Sequence, residues 1–282
     1  MRASRWKVAA LVLVLLVLAL AVALPLYWAV CLAVRPGSDV YAKRIIPSAL
    51  TLQNFRELIF GRDWAGFKGV SFLVPLQNSL VVALTATAIS IVISTFAGYA
   101  LARFSFRGRE LISSYILLAY IFPPFILVVS LFRLINALGL HDSLAAVMLL
   151  HLIIVVPYCS WMLRGYFLSV PKSLEESALI DGCTHLGALV RVVLPVSAPG
   201  VASAAIFSFT LSWQDMLFSL ITLESHEKFT LPIALLAMAM GDLVQWGKLM
   251  AGALISIAPP AIIYLLLQRW IVGGLTAGSV KG

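Results

Sequence analysis

Glu175, Glu176 and Asp181 lie close together in a polar interruption, EESALIDGCTHLGALVRVVLP, between long apolar stretches. The chemistry that such a cluster offers is an ionic contact. Acidic groups are poorly placed against an anionic membrane surface, where interfacial helices favour Lys and Arg, but they suit a basic groove on a protein. The segment around them reads as two short helices. Pro171 fits a first helical turn, where its missing N–H would be unpaired anyway. Ser173 and Glu176 have capping-box spacing and mark a competing start. The first helix runs to Asp181, and Gly182 takes the left-handed turn that ends it. Thr184 caps a second helix, in which Leu186, Leu189, Val190 and Val193 recur at helical spacing until Pro195 stops it. The expected result is two short helices at an angle, lying at a membrane surface, either docked on a protein or floating among headgroups; the acids favour docking.

Other candidates for chemistry are few. Asp215 is the only acid well within a predicted span. Placing a charge at mid-helix costs about 2.5–3.5 kcal/mol on insertion scales, so it should face protein or a water-filled cavity. Because it falls toward the outer end of its span, a bond to a neighbouring loop and a place on a translocation path both stay open. His151 reads most simply as a hydrogen-bonded packing histidine. No His/Asp/Glu or Ser/His constellation converges in the spans, which argues against a membrane-embedded enzyme. Cys31, Cys159 and Cys183 are far apart, show no metal-ligand spacing and read as small apolar filler. Trp161, Trp213, Trp246 and Trp270 suit an interfacial belt. Gly273 to Gly278 has the look of a phosphate-cradling loop, but Ser279-Val280 stand where a lysine and a hydroxyl residue are required, and a helix precedes it in place of a strand. Nucleotide binding by this chain is therefore rejected.

The elements that position these residues are membrane helices. The chain is 62% hydrophobic and 11% charged, with a mean hydropathy of +1.03, well outside soluble statistics. Six segments are long enough to cross a hydrocarbon slab, near 8–34, 78–101, 111–132, 143–163, 198–222 and 250–268, which predicts an all-α polytopic membrane protein. The net charge of +8 is dispersed through the loops and forms no basic domain with interleaved aromatics, so no nucleic-acid partner is expected. Arg2, Arg5, Lys7, Arg103, Arg107, Arg109, Arg164, Lys172, Arg191, Arg269 and Lys281 fall on one side if the N-terminus is inside, giving an N-in, C-in topology. Arg35, Lys43, Arg44, Arg56, Arg62 and Lys68 resist it, and Asp39, Glu57 and Asp63 offset only part of their charge. The N-terminus has features of a signal peptide, but the uncharged run from Val8 to Val34 is too long, which favours a retained helix.

The organisation expected is a cytoplasmic N-terminus and first helix (1–34), a folded external loop (35–77) with an amphipathic segment at Leu52–Phe60, a transmembrane core (78–272) with a cytoplasmic polar loop (164–195), and a cytoplasmic tail (273–282). Prolines at Pro123-Pro124, Pro157 and Pro259-Pro260 predict kinks. Ser79, Ala83, Thr87, Ser90, Ser94 and Gly98 form a stripe of small residues that permits close helix approach, within a bundle or at a dimer interface.

The polar loop resembles the docking loop of ABC importer permeases. Glu176-Ser177-Ala178 stand for its E-A-A, Asp181-Gly182 for its D-G, Val192 for its aliphatic and Leu194-Pro195 for its L-P. Ser177, Cys183 and Leu189 depart from the usual alanine, alanine and phenylalanine. Asn78-Ser79-Leu80, Gly98 to Phe104, Phe106 to Arg109 and Trp213-Gln214-Asp215 resemble further motifs of that family, and Gln268 to Gly282 resembles the ending of its carbohydrate class, of the maltose-permease type. The resemblance implies the type I ABC importer permease fold, with Glu175, Glu176, Ser177, Ala178, Asp181, Gly182, Val192, Leu194 and Pro195 coupling the chain to a separate ATPase dimer. It further implies that the tail, with Gly274, Gly278 and Lys281, reaches the ATPase, and that Leu223 to Lys248 probes a binding protein. Asn78, Trp213 and Asp215 are candidates for the translocation path. The implied partners are a second permease subunit in a heterodimer, the ATPase that binds ATP and Mg, an extracytoplasmic sugar-binding protein and membrane lipid, with no cofactor in this chain. The alternatives are a polyamine or amino-acid permease and, in another class, an ion-coupled secondary carrier; the latter is disfavoured by the single intramembrane acid and the lack of an evident repeat.

Overall fold

Long apolar runs with few helix breakers fold as helices here, because a helix satisfies every backbone polar group within itself. The computed structural model describes residues 5–39, 44–61, 63–64, 67–241 and 244–278; Arg2, Lys43, Arg62 and Lys281 lie outside them. In chain order the elements are α1 (Arg5–Ala33), α2 (Gln53–Phe60), a two-stranded antiparallel ladder of β1 (Asp63–Trp64) and β2 (Phe67–Lys68), α3 (Leu73–Arg103), α4 (Arg109–Ile121), α5 (Pro124–Ala137), α6 (Leu144–Ser169) and α7 (Lys172–Ile180). There follow α8 (His185–Val196), with a π-helical turn at Leu189–Val193, then α9 (Ala198–Trp213), α10 (Leu217–Thr222), α11 (Leu231–Met240) and α12 (Trp246–Gly278). Among the described residues four helices are long and apolar enough to cross a membrane, or up to six if each bent pair is one span.

Three predicted elements come out differently. The span expected at 111–132 is broken: Phe122 and Pro123 are extended, as a residue before proline prefers, and α4 meets α5 at 95°. The span expected at 198–222 ends at Trp213, and a turn at Gln214–Met216 separates it from the short α10. A second bend, of 81°, lies between α8 and α9. The last helix runs on to Gly278, so the predicted tail is helical over most of its length. By contrast, α6 and α12 continue unbroken through Pro157 and Pro259-Pro260, so of the prolines expected to kink spans only the Pro123-Pro124 pair interrupts a helix.

The chain forms two compact units. One comprises residues up to Leu73 together with Ala234–Ile257. The amphipathic segment expected at Leu52–Phe60 is α2, with Leu58 fully buried. Asn54 Nδ2 donates to the Ala33 and Arg35 carbonyls at 2.8 and 2.9 Å, Lys248 pairs with Glu57 at 2.8 Å, and Trp64 packs edge-on to Phe72.

The other unit, Val74–Ile233 with Ala258–Gly282, contains the bundle. Here the small-residue stripe of α3 is an internal packing seam. Ser79, Ala83, Ser90, Ser94 and Gly98 are buried. Ser94 Oγ donates to the Val156 carbonyl of α6 at 3.2 Å, and Ser90 and Ser208 hydroxyls meet at 3.2 Å across α3 and α9. Tyr99, Cys159, Leu163, Phe167, Leu189, Val193 and Ala204 form one apolar core beside this seam. Cys31 and Cys159 are buried and Cys183 half-buried, all as free thiols. At the loop between α5 and α6, burial alone would raise the Asp142 carboxyl, but the Lys228 ammonium at 2.8 Å, the Ser225 hydroxyl and the Glu224 and Ser225 amides outweigh it and hold the group well below the usual range.

Two outcomes follow from this packing. A Cβ on Gly98 would stand 3.0 Å from the Arg164 amide nitrogen and 3.1 Å from the Ser160 carbonyl oxygen, so Gly98→Leu overpacks the α3–α6 seam and lowers stability by about 1–3 kcal/mol or more, read as a lower thermal midpoint in detergent. Because the folded pKa of Asp142 is depressed, its contribution is fully present above the unfolded value of 3.8 and is lost as pH falls through the folded value. Asp142→Asn therefore lowers the thermal midpoint at pH 7, and the difference from the natural chain narrows at pH below 3.8.

Candidate docking surface and polar cavity

The polar loop folds as its caps dictate. Pro171 is the N-cap of α7, Asp181 its C-cap, and Gly182 follows with φ +87°. Thr184 Oγ1 accepts from the Gly187 amide at 3.1 Å and so caps α8. Leu189 and Val193 turn into the core, whereas Leu186 and Val190, on the other face of the same helix, are exposed. With Ile180, 86% exposed, and with Glu176, Ser177, Asp181 and Gly182 on the surface, they make an outer surface of mixed charged and apolar character, in which Lys172 and Arg191 are exposed too. An exposed apolar patch rimmed by charge is the usual character of a protein-binding surface. Val192 and Leu194 are half-buried, Pro195 exposed and Ala178 buried.

Glu175 departs from its expected place on that face. It points inward, 6% exposed, with its Oε2 2.6 Å from Arg103 Nε at the end of α3. The Tyr99 hydroxyl donates to its other oxygen and lies 3.3 Å from the His185 carbonyl, while Arg103 Nη2 donates to the Val170 carbonyl at 3.0 Å. Phe104 packs edge-on to both Tyr99 and His185. The Tyr99–Arg103–Glu175 cluster thus ties α7 and α8 to the end of α3, and Glu175 positions the surface without forming part of it. Only part of this was local: Tyr99 and Arg103 are four apart and share a helix face, but the face that Glu175 takes is set by a partner 76 residues away.

The path candidates are placed with equal clarity. Asn78 Nδ2 donates to the Glu227 and Phe229 carbonyls at 2.9 and 3.0 Å, and Ser79 Oγ accepts from the Leu231 amide at 2.7 Å, so this pair anchors the segment that leads into α11. Trp213 is buried and stacks on Phe209 at 5.7 Å, unlike the interfacial place expected for it, whereas Trp161, Trp246 and Trp270 are exposed. Asp215 lies in the turn between α9 and α10, not within a helix. Its carboxylate accepts from the Phe218 and Ser219 amides at 3.4 and 3.2 Å, and its Oδ2 is 3.1 Å from His151 Nε2. His151, Asp215 and Ser212 line one cavity of about 280 Å³. The sequence reading expected no such convergence, because the turn that carries Asp215 to α6 leaves no mark on apolar composition. Gly274 and Gly278 lie on α12.

Several long apolar helices and two bent pairs are the elements of a multi-pass membrane protein. Residues 90–276 match the family of binding-protein-dependent transport system inner membrane components, and the chain belongs to that family. It is similar to the sulfoquinovosyl glycerol transport system permease protein SmoH of Agrobacterium fabrum, at 36% identity over 92% of this chain and 88% of that one. It is also similar to the trehalose transport system permease protein SugB of Mycobacterium tuberculosis, at 34% identity over 92% of each. Its fold matches a chain of a bacterial ABC transporter involved in the import of the acidic polysaccharide alginate, with a TM-score of 0.77 and 20% identity, covering 95% of this chain and 99% of that one.

The latch makes a direct prediction. Arg103 and Glu175 side chains are 5% and 7% exposed, and removing one member of a buried ion pair costs about 3–5 kcal/mol. Arg103→Ala should therefore loosen the loop, seen as faster amide exchange across residues 171–189 than in the natural protein, while the exchange of α2 is unchanged.

Proposed function

We propose that this chain is one permease subunit of an ATP-driven, binding-protein-dependent importer for a sugar or sugar derivative. The observation that carries the reading is the outer face of α7 and α8, charged and apolar together and held in place by the buried Glu175 latch. In this reading Glu176, Ser177, Asp181 and the exposed Leu186 and Val190 enter a groove of a separate ATPase dimer, which binds ATP and Mg. Gly182 sets the angle between the two helices, and Leu194-Pro195 joins them to α9. Alternating access follows when closure of the ATPase dimer drags this loop and the bundle turns its cavity outward.

The sugar class is supported by the names of similar permeases, which carry sulfoquinovosyl glycerol, trehalose and diacetylchitobiose. A solved relative is in complex with a periplasmic protein bound to an alginate pentasaccharide, which supports a binding-protein partner. The remaining parts of the reading are a second permease subunit as heterodimeric partner, an N-in, C-in topology in the bacterial cytoplasmic membrane, and a tail with Gly274, Gly278 and Lys281 against the ATPase.

Charge reversal tests the docking surface. Glu176→Lys should leave the protein inserted in membranes, since the side chain is exposed, and should release the ATPase from purified membranes. Full retention of the ATPase by this variant would sink the assignment of Glu176.

A further inference from the structure

The turn from α3 to α4, Phe104-Ser105-Phe106-Arg107-Gly108-Arg109, sets basic and aromatic residues side by side. Its far end meets α6 through one carboxylate: Glu110 lies 2.7 Å from Arg109 Nη2 and 2.8 Å from Arg164 Nη2. Arg107 is exposed and forms no ion pair among the described residues. Three guanidiniums thus stand against one acid, and the place keeps an excess of positive charge. Gly108 opens α4 without a side-chain cap, so the amides of the first turn add to that potential.

The surroundings are apolar. Phe104 and Phe106 are exposed in the turn, as is Trp161, one helical turn before Arg164 on α6. Leu111, Tyr115 and Leu118 are exposed as well. Spaced by four and three, they form one strip along α4, and the strip begins two residues after Arg109.

We propose that the turn and this strip form a site for one anionic phospholipid, with its phosphate held by Arg107 and Arg109 and an acyl chain lying along Leu111, Tyr115 and Leu118. Basic places between membrane helices take anionic headgroups, and the planar fork of arginine matches a phosphate. The exposed Trp161 suits the headgroup level. A soluble phosphate would use the arginines and leave the apolar strip without a role. A zwitterionic lipid would use the strip but bring its own cation, leaving the excess charge unmatched. The inference needs only that the chain spans a membrane and does not depend on the importer reading.

The test uses the complete transporter in phosphatidylcholine vesicles holding a trace of photoreactive lipid, either phosphatidylglycerol or phosphatidylcholine, with the diazirine at the same acyl carbon. Label on peptides covering 104–121 of this chain is measured by mass spectrometry. Phosphatidylglycerol should label these peptides more heavily, and Arg107→Gln should cut that excess about fivefold, the scale of one basic residue at a lipid surface. Arg107→Lys should keep most of the excess, and Arg56→Gln, at an exposed position of α2, should leave it unchanged. Excess glycerol phosphate should not compete. If Arg107→Gln fails to insert, Arg109→Gln serves the same comparison. Equal labelling by the two lipids, or an undiminished excess in the substituted chain, overturns the site. Competition by glycerol phosphate assigns the arginines to a soluble anion and overturns it too. Absence of label on α4 places another subunit over this face, with the same consequence.

Discussion

Hydrocarbon offers no hydrogen bond, and that constraint orders this structure from its longest helix to its smallest cavity. Within each helix the backbone satisfies itself, so the remaining question at every point is what happens to side chains and to interrupted backbone. Along α3 the answer is small hydroxyl residues that pair with α6 and α9, Ser94 with a carbonyl and Ser90 with Ser208. Serine serves here where alanine would pack as closely, because each hydroxyl also bonds a neighbouring helix. At the end of α3 the answer is an ion pair that completes itself: Arg103 meets Glu175 and a carbonyl, and Tyr99 takes the other carboxylate oxygen.

That ion pair separates two carboxylates that are adjacent in sequence. Glu175 is buried and structural, and Glu176 is exposed and free for a partner. A loop of nine-residue α7 and the first turns of α8 has too little area to hold its own shape. The buried charge pair supplies a fixed geometry, since a charged side chain taken from water must keep its counter-ion close. The outer face can then be soft and mixed in character without losing its orientation.

Local rules made much of this legible from sequence. The left-handed Gly182, the Thr184 cap and the inward Leu189 and Val193 all follow from offsets of a few residues. Most of the span positions were legible too, because hydropathy integrates over many residues. What escaped was long-range or directional. The bend at Phe122–Pro123 was marked by its prolines, but nothing in composition gave its 95°, and the turn at Gln214–Met216 was marked only by the polar pair Gln214-Asp215, which carries no direction. The inward face of Glu175 depended on Arg103 and Tyr99, more than seventy residues away by the Tyr99–Glu175 separation of 76. The meeting of His151 with Asp215 depended on the direction of that turn. Two path candidates also gained partners that no local offset shows: Asn78 anchors the segment before α11, and Trp213 stacks on Phe209.

Helix α3 carries attachments at both ends. Near its start Ser79 receives the first amide of α11 and Asn78 grips the preceding carbonyls; at its finish Arg103 holds Glu175. The helix between them is uninterrupted, and at ~1.5 Å per residue it sets these two grips roughly 36 Å apart. A stiff rod pinned at both ends converts a tilt at one into a swing at the other. The acidic loop and the 226–231 segment are thus attached to opposite ends of one piece of secondary structure, so that any tilt of α3 displaces both.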